Sequence, residues 1–217
     1  SAPLAEKMDP HTKCQCVEKN DKGQVVHQYQ FNSLTDTEHW KPATQTDVEY
    51  GTNGNTKSVT YDVSKGHKIA VSETDVSVEA KESSQIQKSI TYELSSDGSR
   101  KSAVSETDSR QETHGTLTIL TNESFDLRHG KVPLASSKRT LDSANGSSTD
   151  EEYRYADGKI VAKDFARKSV AATGETSVVT TAIRDGKVLQ HKEAGFDRDG
   201  KAVSLKTEIE GHHYEFK

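Results

Sequence analysis

The sequence predicts an all-β chain: an antiparallel up-and-down meander of repeated hairpins forming an open, curved or twisted extended sheet. Three observations lead there: an internal duplication, glycine turns on a regular beat, and apolar residues alternating with polar ones at a period of two. A half-barrel or a closed barrel with a short N-terminal helix is the alternative closure of the same strands.

The first element is a hairpin from Cys14 to Phe31 around Asp21-Lys22-Gly23, with Val25, Val26, Tyr29 and Phe31 on its return. Ser33 to Lys41 reads as a short helix, because Ser33 suits an N-cap, Asp36 follows three residues on, and Pro42 stops the run. Trp40, the only tryptophan, is expected to cover an edge or end of the sheet, where it becomes a candidate ligand cover. A Thr-, Asn- and Gly-rich connection, Thr44 to Thr56, then leads into the repeats. Residues 1–56 are therefore read as an N-terminal segment packing on the sheet, and 57–217 as the repeat region, within one continuous domain.

The duplication defines the repeats. Lys57-Ser58-Val59-Thr60-Tyr61-Asp62-Val63-Ser64 reappears as Lys88-Ser89-Ile90-Thr91-Tyr92-Glu93-Leu94-Ser95, and each copy reaches an identical Ala-Val-Ser-Glu-Thr-Asp at 70–75 and 103–108. Gly66, Gly98, Gly130, Gly158 and Gly186 continue the beat at intervals of 32, 32, 28 and 28 residues. Asp157-Gly158-Lys159, Asp185-Gly186-Lys187 and Asp199-Gly200-Lys201 share a tripeptide suited to type I′ hairpins, whose two central residues both need positive φ. Strands of about ten residues at this spacing give roughly 13 or 14 in all.

Alternation assigns the faces. Val59, Tyr61 and Val63 fall on one side of a strand, as do Ile90, Tyr92 and Leu94, and Val203, Leu205 and Ile209 near the C-terminus. A polar opposite face predicts that one side of the sheet is dry and the other wet.

Composition narrows the function. Val, Leu, Ile and Phe supply 39 of 217 residues, about 18%, so the core is thin and spread along the strands. The 29 basic residues nearly balance 34 acidic ones, and Lys and Arg alternate with acids and hydroxyls rather than clustering, which argues against nucleic acid as a partner. No apolar run reaches the ~20 residues of a spanning helix, and 6% aromatic residues are too few for the girdles of a membrane barrel. The start Ser1-Ala2-Pro3-Leu4-Ala5, two cysteines and a Ser/Thr-rich surface lead us to expect an exported, periplasmic or extracellular protein. In composition the chain is similar to spirochaete outer-surface lipoproteins that carry a partly free-standing sheet rich in Lys, Glu, Ser and Thr; no shared motif carries the likeness.

Chemistry is sparse. Cys14 and Cys16 form a C-x-C pair on one strand face, open to a tight, strained disulfide with redox character, to a structural role, or, with His11, to a weak soft-metal set lacking a fourth ligand. His67, His114 and His129 fall near turns, and His212-His213 is a poor chelate on a strand, where neighbours face opposite ways. The Ser-Glu-Thr-Asp tetrads at 72–75 and 105–108 could contribute to a calcium site, but read better as a charged solvent face. No G-x-S-x-G elbow, H-E-x-x-H pair or phosphate loop occurs, so no catalytic residue or cofactor is assigned. The sequence therefore leans toward a non-enzymatic exported protein whose sheet serves as a binding or structural surface for another protein or an envelope component. A carrier sheltering an apolar ligand is the second expectation, and an enzyme with a site assembled from scattered residues the third.

Overall fold

The structure, a computed structural model, describes residues 4–6 and 15–216. Sixteen antiparallel strands follow chain order in one meander that is not closed into a barrel. They are β1 (Leu4–Glu6), β2 (Gln15–Lys19), β3 (Val25–Gln30), β4 (Thr44–Tyr50), β5 (Thr56–Asp62), β6 (Ile69–Lys81), β7 (Ser84–Leu94) and β8 (Arg100–His114). The series continues with β9 (Leu117–Asp126), β10 (Val132–Asp142), β11 (Ser148–Ala156), β12 (Lys159–Val170), β13 (Thr176–Arg184), β14 (Lys187–Phe196), β15 (Ala202–Ile209) and β16 (His212–Phe216). One helix, α1 (Leu34–Glu38), follows β3; among the described residues no helix is long and apolar enough to cross a membrane.

Contacts divide the chain into two compact units: Ser1–Val78 with Lys88–Glu106, and Glu79–Gln87 with Thr107–Lys217. In the first, the Ser33 hydroxyl accepts from the Asp36 N–H at 3.1 Å and starts α1 as the cap residue suggests. The connection expected at Thr44 to Thr56 is instead β4 followed by a 3-10 turn at Thr52–Gly54. Its Thr-Gln-Thr-Asp run lacks the apolar alternation that marks a strand, yet β4 pairs residue for residue with β5, and Thr46 Oγ1 meets Thr60 Oγ1 at 2.9 Å. This strand and the short β1 account for most of the excess over the expected count.

Turn chemistry separates three identical tripeptides. Asp157 and Gly158 stand at φ 49° and 72°, and Asp185 and Gly186 at 48° and 76°, closing the two-residue hairpins that Asp-Gly predicts. Asp199-Gly200-Lys201 departs from this: only Gly200 is left-handed, and the turn is one residue longer. Asp197 is the cause, because its carboxylate accepts from the N–H groups of Asp199 at 3.0 Å and Lys201 at 2.8 Å.

The dry face predicted from alternation forms unevenly: in β7 Ile90 and Tyr92 are half-buried and Leu94 is buried beside an exposed Glu93, whereas other strands do not follow it. In β5 every residue from Ser58 to Asp62 is half-buried, whichever side it faces, and in β15 both Val203 (50% exposed) and Ile209 are exposed. Among the described residues the strands form a single sheet, so which face is covered differs from strand to strand.

The alternation is also interrupted on purpose. Several strands that follow a turn carry one extra residue against their partner, and among the described residues such bulges fall at Val26, Val71, Leu134, Val161, Leu189 and Val203. Each lies beside a second apolar residue, as in Val25-Val26, Ala70-Val71 and Ile160-Val161. A bulge absorbs such a pair, since two adjacent residues then oppose one on the partner strand.

Candidate functional site

The second unit presents an apolar row. The turns at Gly130, Gly158 and Gly186 precede alternate strands β10, β12 and β14, so their bulges stand at one end of the meander. Alternate strands lie ~10 Å apart, twice the interstrand spacing. Val132 and Leu134, Ile160 with Val161, and Val188 with Leu189 thus recur at that interval, and all but Val161 are exposed. Single exposed aliphatics are ordinary on protein surfaces; a regular series of pairs is not. The adjacent apolar pairs after each turn were the available sequence signal for this row.

Ionic ladders follow the duplication. Glu73 is only 6% exposed, although the Ser-Glu-Thr-Asp tetrads were expected to form a solvent face. Lys57 Nζ approaches Glu73 Oε2 at 3.0 Å, and Arg100 bridges Glu73 and Asp75 while its guanidinium lies 4.1 Å from the Tyr92 ring centroid. Burial opposes ionisation of Glu73, but hydrogen bonds from Arg100 and Lys57 outweigh it and hold the carboxyl below its ordinary range. The second copy repeats the pattern with Lys88 on the buried Glu106 at 2.9 Å, and with Lys131 on Asp108 at 3.3 Å and over the Phe125 ring at 4.0 Å. These acids are already saturated by cations.

An aromatic corner closes the first unit. Phe31 is fully buried, and Trp40 sets its ring edgewise against Phe31 and Tyr29 at centroid distances of 5.3 and 5.0 Å. Trp40 remains 44% exposed and stands at φ 49°, a left-handed conformation rare for a bulky residue. The Tyr29 hydroxyl donates to Glu18 at 3.0 Å; burial and that carboxylate push its pKa up to about 12. Nearby, Asp47 accepts from Gln45 Nε2 at 2.6 Å and Lys68 Nζ at 2.9 Å, with His27 Nδ1 at 2.7 Å. Burial again opposes its ionisation, and the Lys68, Gln45 and His27 contacts prevail and lower the pKa.

Of the residues singled out in the sequence, Cys16 is buried on β2 opposite Tyr29. Cys14 and His11 lie outside the described residues, and with them the proposed disulfide and metal set. His67, His114 and His129 are exposed, as are His212 and His213, and none joins a cluster of three potential metal ligands among the described residues. No protein family, curated protein or solved structure was found to match the chain.

Proposed function

We propose that this is a non-enzymatic exported protein, periplasmic, cell-surface or secreted, whose extended sheet is a binding surface for another macromolecule, a protein or an envelope component. The observation that carries this reading is the row of bulge-borne aliphatics on β10, β12 and β14, at ~10 Å intervals. A bulge re-aims a side chain at the cost of ladder regularity, and three at the same end of alternate strands give a repeating apolar contact for a repeating or extended partner. The ion-paired Glu73 and Glu106, held by Lys and Arg, support a non-catalytic role.

Fractionation of source cells, combined with a photoreactive residue placed at Leu189 or at Lys22, tests the proposal. The chain should appear in the envelope or the medium, and Leu189 but not Lys22 should cross-link to one macromolecule, with Leu134→Lys abolishing the cross-link. Retention in the cytosol, equal cross-linking from both positions, or turnover of a small substrate by purified protein would overturn it.

A further inference from the structure

The aromatic corner of the first unit borders an open depression of about 800 Å³, floored by the Tyr29 and Trp40 rings and rimmed by Asn32, Asp36, Gln45 and His67. We propose that it is a binding site for a neutral oligosaccharide. This inference stands on a different part of the chain from the sheet-surface reading and does not depend on it.

Three features converge on that class of ligand. The first is the platform. Trp40 is fixed edge-on by Phe31 and Tyr29, so nearly half of a large ring stays in water without being free to turn away. The left-handed backbone at Trp40 holds the ring there at a conformational cost, and strain of this sort collects at ligand clamps. α1 and its Ser33 cap fix the approach of the chain to that residue, and the Trp40 N–H closes the turn on Thr37 O at 3.1 Å.

The second feature is the rim. Asn32, Asp36, Gln45, Ser64 and His67 offer amide, carboxylate, hydroxyl and imidazole groups around the rings, a density of donors and acceptors matched by a ligand bearing a hydroxyl on most carbons. A proline-rich peptide would instead ask for apolar ridges between the aromatics. The third is charge. Lys41 and Lys68 are answered by Asp36 and by Asp47, which already binds Lys68, so the depression has no cationic surplus to hold a phosphate or a sulfate. Its volume falls within the range of small-molecule sites and has room for more than one sugar ring.

Because Trp40 is the only tryptophan, its emission reports occupancy directly. The full chain would be screened on an array of neutral oligosaccharides, then titrated with a glucose, mannose or N-acetylglucosamine hexasaccharide that scores, while Trp40 fluorescence is followed. A saturable blue shift is expected. Trp40→Ala should weaken binding about tenfold, the scale of one lost ring stack, while Trp40→Phe retains most of it. His67→Ala, at an exposed turn position, should weaken it several-fold with unchanged thermal unfolding, which keeps the test decisive should Trp40→Ala fold poorly. The proposal fails if no neutral saccharide binds up to millimolar concentration, if charged saccharides or a proline-rich peptide bind in preference, or if both variants bind as the parent does.

Discussion

The first unit buries Cys16, Phe31, Leu94, Glu73 and Glu106, whereas the second, among its described residues, buries Ala162 alone. Both are made of the same hairpins with the same turns, so strand pairing cannot be the source of the difference. What the first unit adds is a helix over the end of β3 and a pair of carboxylates sunk beneath long cationic side chains. The second relies on the backbone ladder and on cross-strand pairs such as Thr140–Thr149, whose hydroxyls meet at 2.6 Å. A sheet without a second layer can therefore hold together by pairing, and local burial becomes an addition that only some regions make.

Truncating the single fully buried ring tests this contrast most strongly. Phe31→Ala should cost about 3–5 kcal/mol, the usual loss for a buried aromatic, while Val203→Ala should cost less than about 1 kcal/mol, the span of strand propensities. Urea unfolding followed by Trp40 fluorescence and by far-ultraviolet circular dichroism measures both. Equal losses would mean that the two regions share one source of stability.

The buried acid comes next. Glu73→Gln leaves Lys57 without its carboxylate and Arg100 with Asp75 alone, and should cost about 1–3 kcal/mol. Asp164→Asn in the second unit breaks a forked pair with Arg184 at 2.7 and 3.0 Å but in a more exposed setting, and should cost about 0–1 kcal/mol. Both carboxyls are held below their ordinary range in the fold, so the stability they supply is present above about pH 4–5 and is lost as acid carries the pH down through their folded values. Removing Glu73 should flatten that acid limb more than removing Asp164, in chemical denaturation repeated across pH.

Much of this fold was legible from local signals. Asp-Gly pairs fixed the two-residue turns, Ser33 fixed the start of α1, and the copied octapeptide fixed the alignment of β5 with β7. Burial was less legible because alternation reports which side a residue faces, not whether anything covers that side. Val203 and Val59 look alike in the sequence, yet Val203 sits on a bulge and half-exposed, while Val59 is flanked by Asp47 and Glu73 on its two neighbouring strands. The fate of Glu73 depended on Arg100, twenty-seven residues away, a distance at which a single sequence carries no pairing signal. The aliphatic bulges were written in the chain as adjacent apolar pairs, a break in period two that marks an extra residue.

The aromatic corner gives a sharper but smaller effect. Tyr29 has its phenol pushed up to about 12, first by burial and then by Glu18, so its neutral form stabilises the fold below the ordinary phenol range and that contribution fades as the pH climbs from about 10 toward 12. Absorbance at alkaline pH should show a late tyrosinate step that Tyr29→Phe removes and Glu18→Gln moves to lower pH.

The smallest energetic effect belongs to the residues with the clearest repetition. Leu189→Lys replaces an exposed aliphatic on a bulge with a side chain that can extend into water, and should shift stability by no more than about 0.5 kcal/mol. The same substitution at Leu134 should behave alike, since that side chain is exposed too. If either costs more than about 2 kcal/mol, the bulge aliphatics are part of a hidden core, and the division between a locally buried first unit and a pairing-held second one fails. If both are silent in unfolding, regular apolar placement at these bulges is left without a stability role, and contact with another molecule becomes the explanation that fits its spacing.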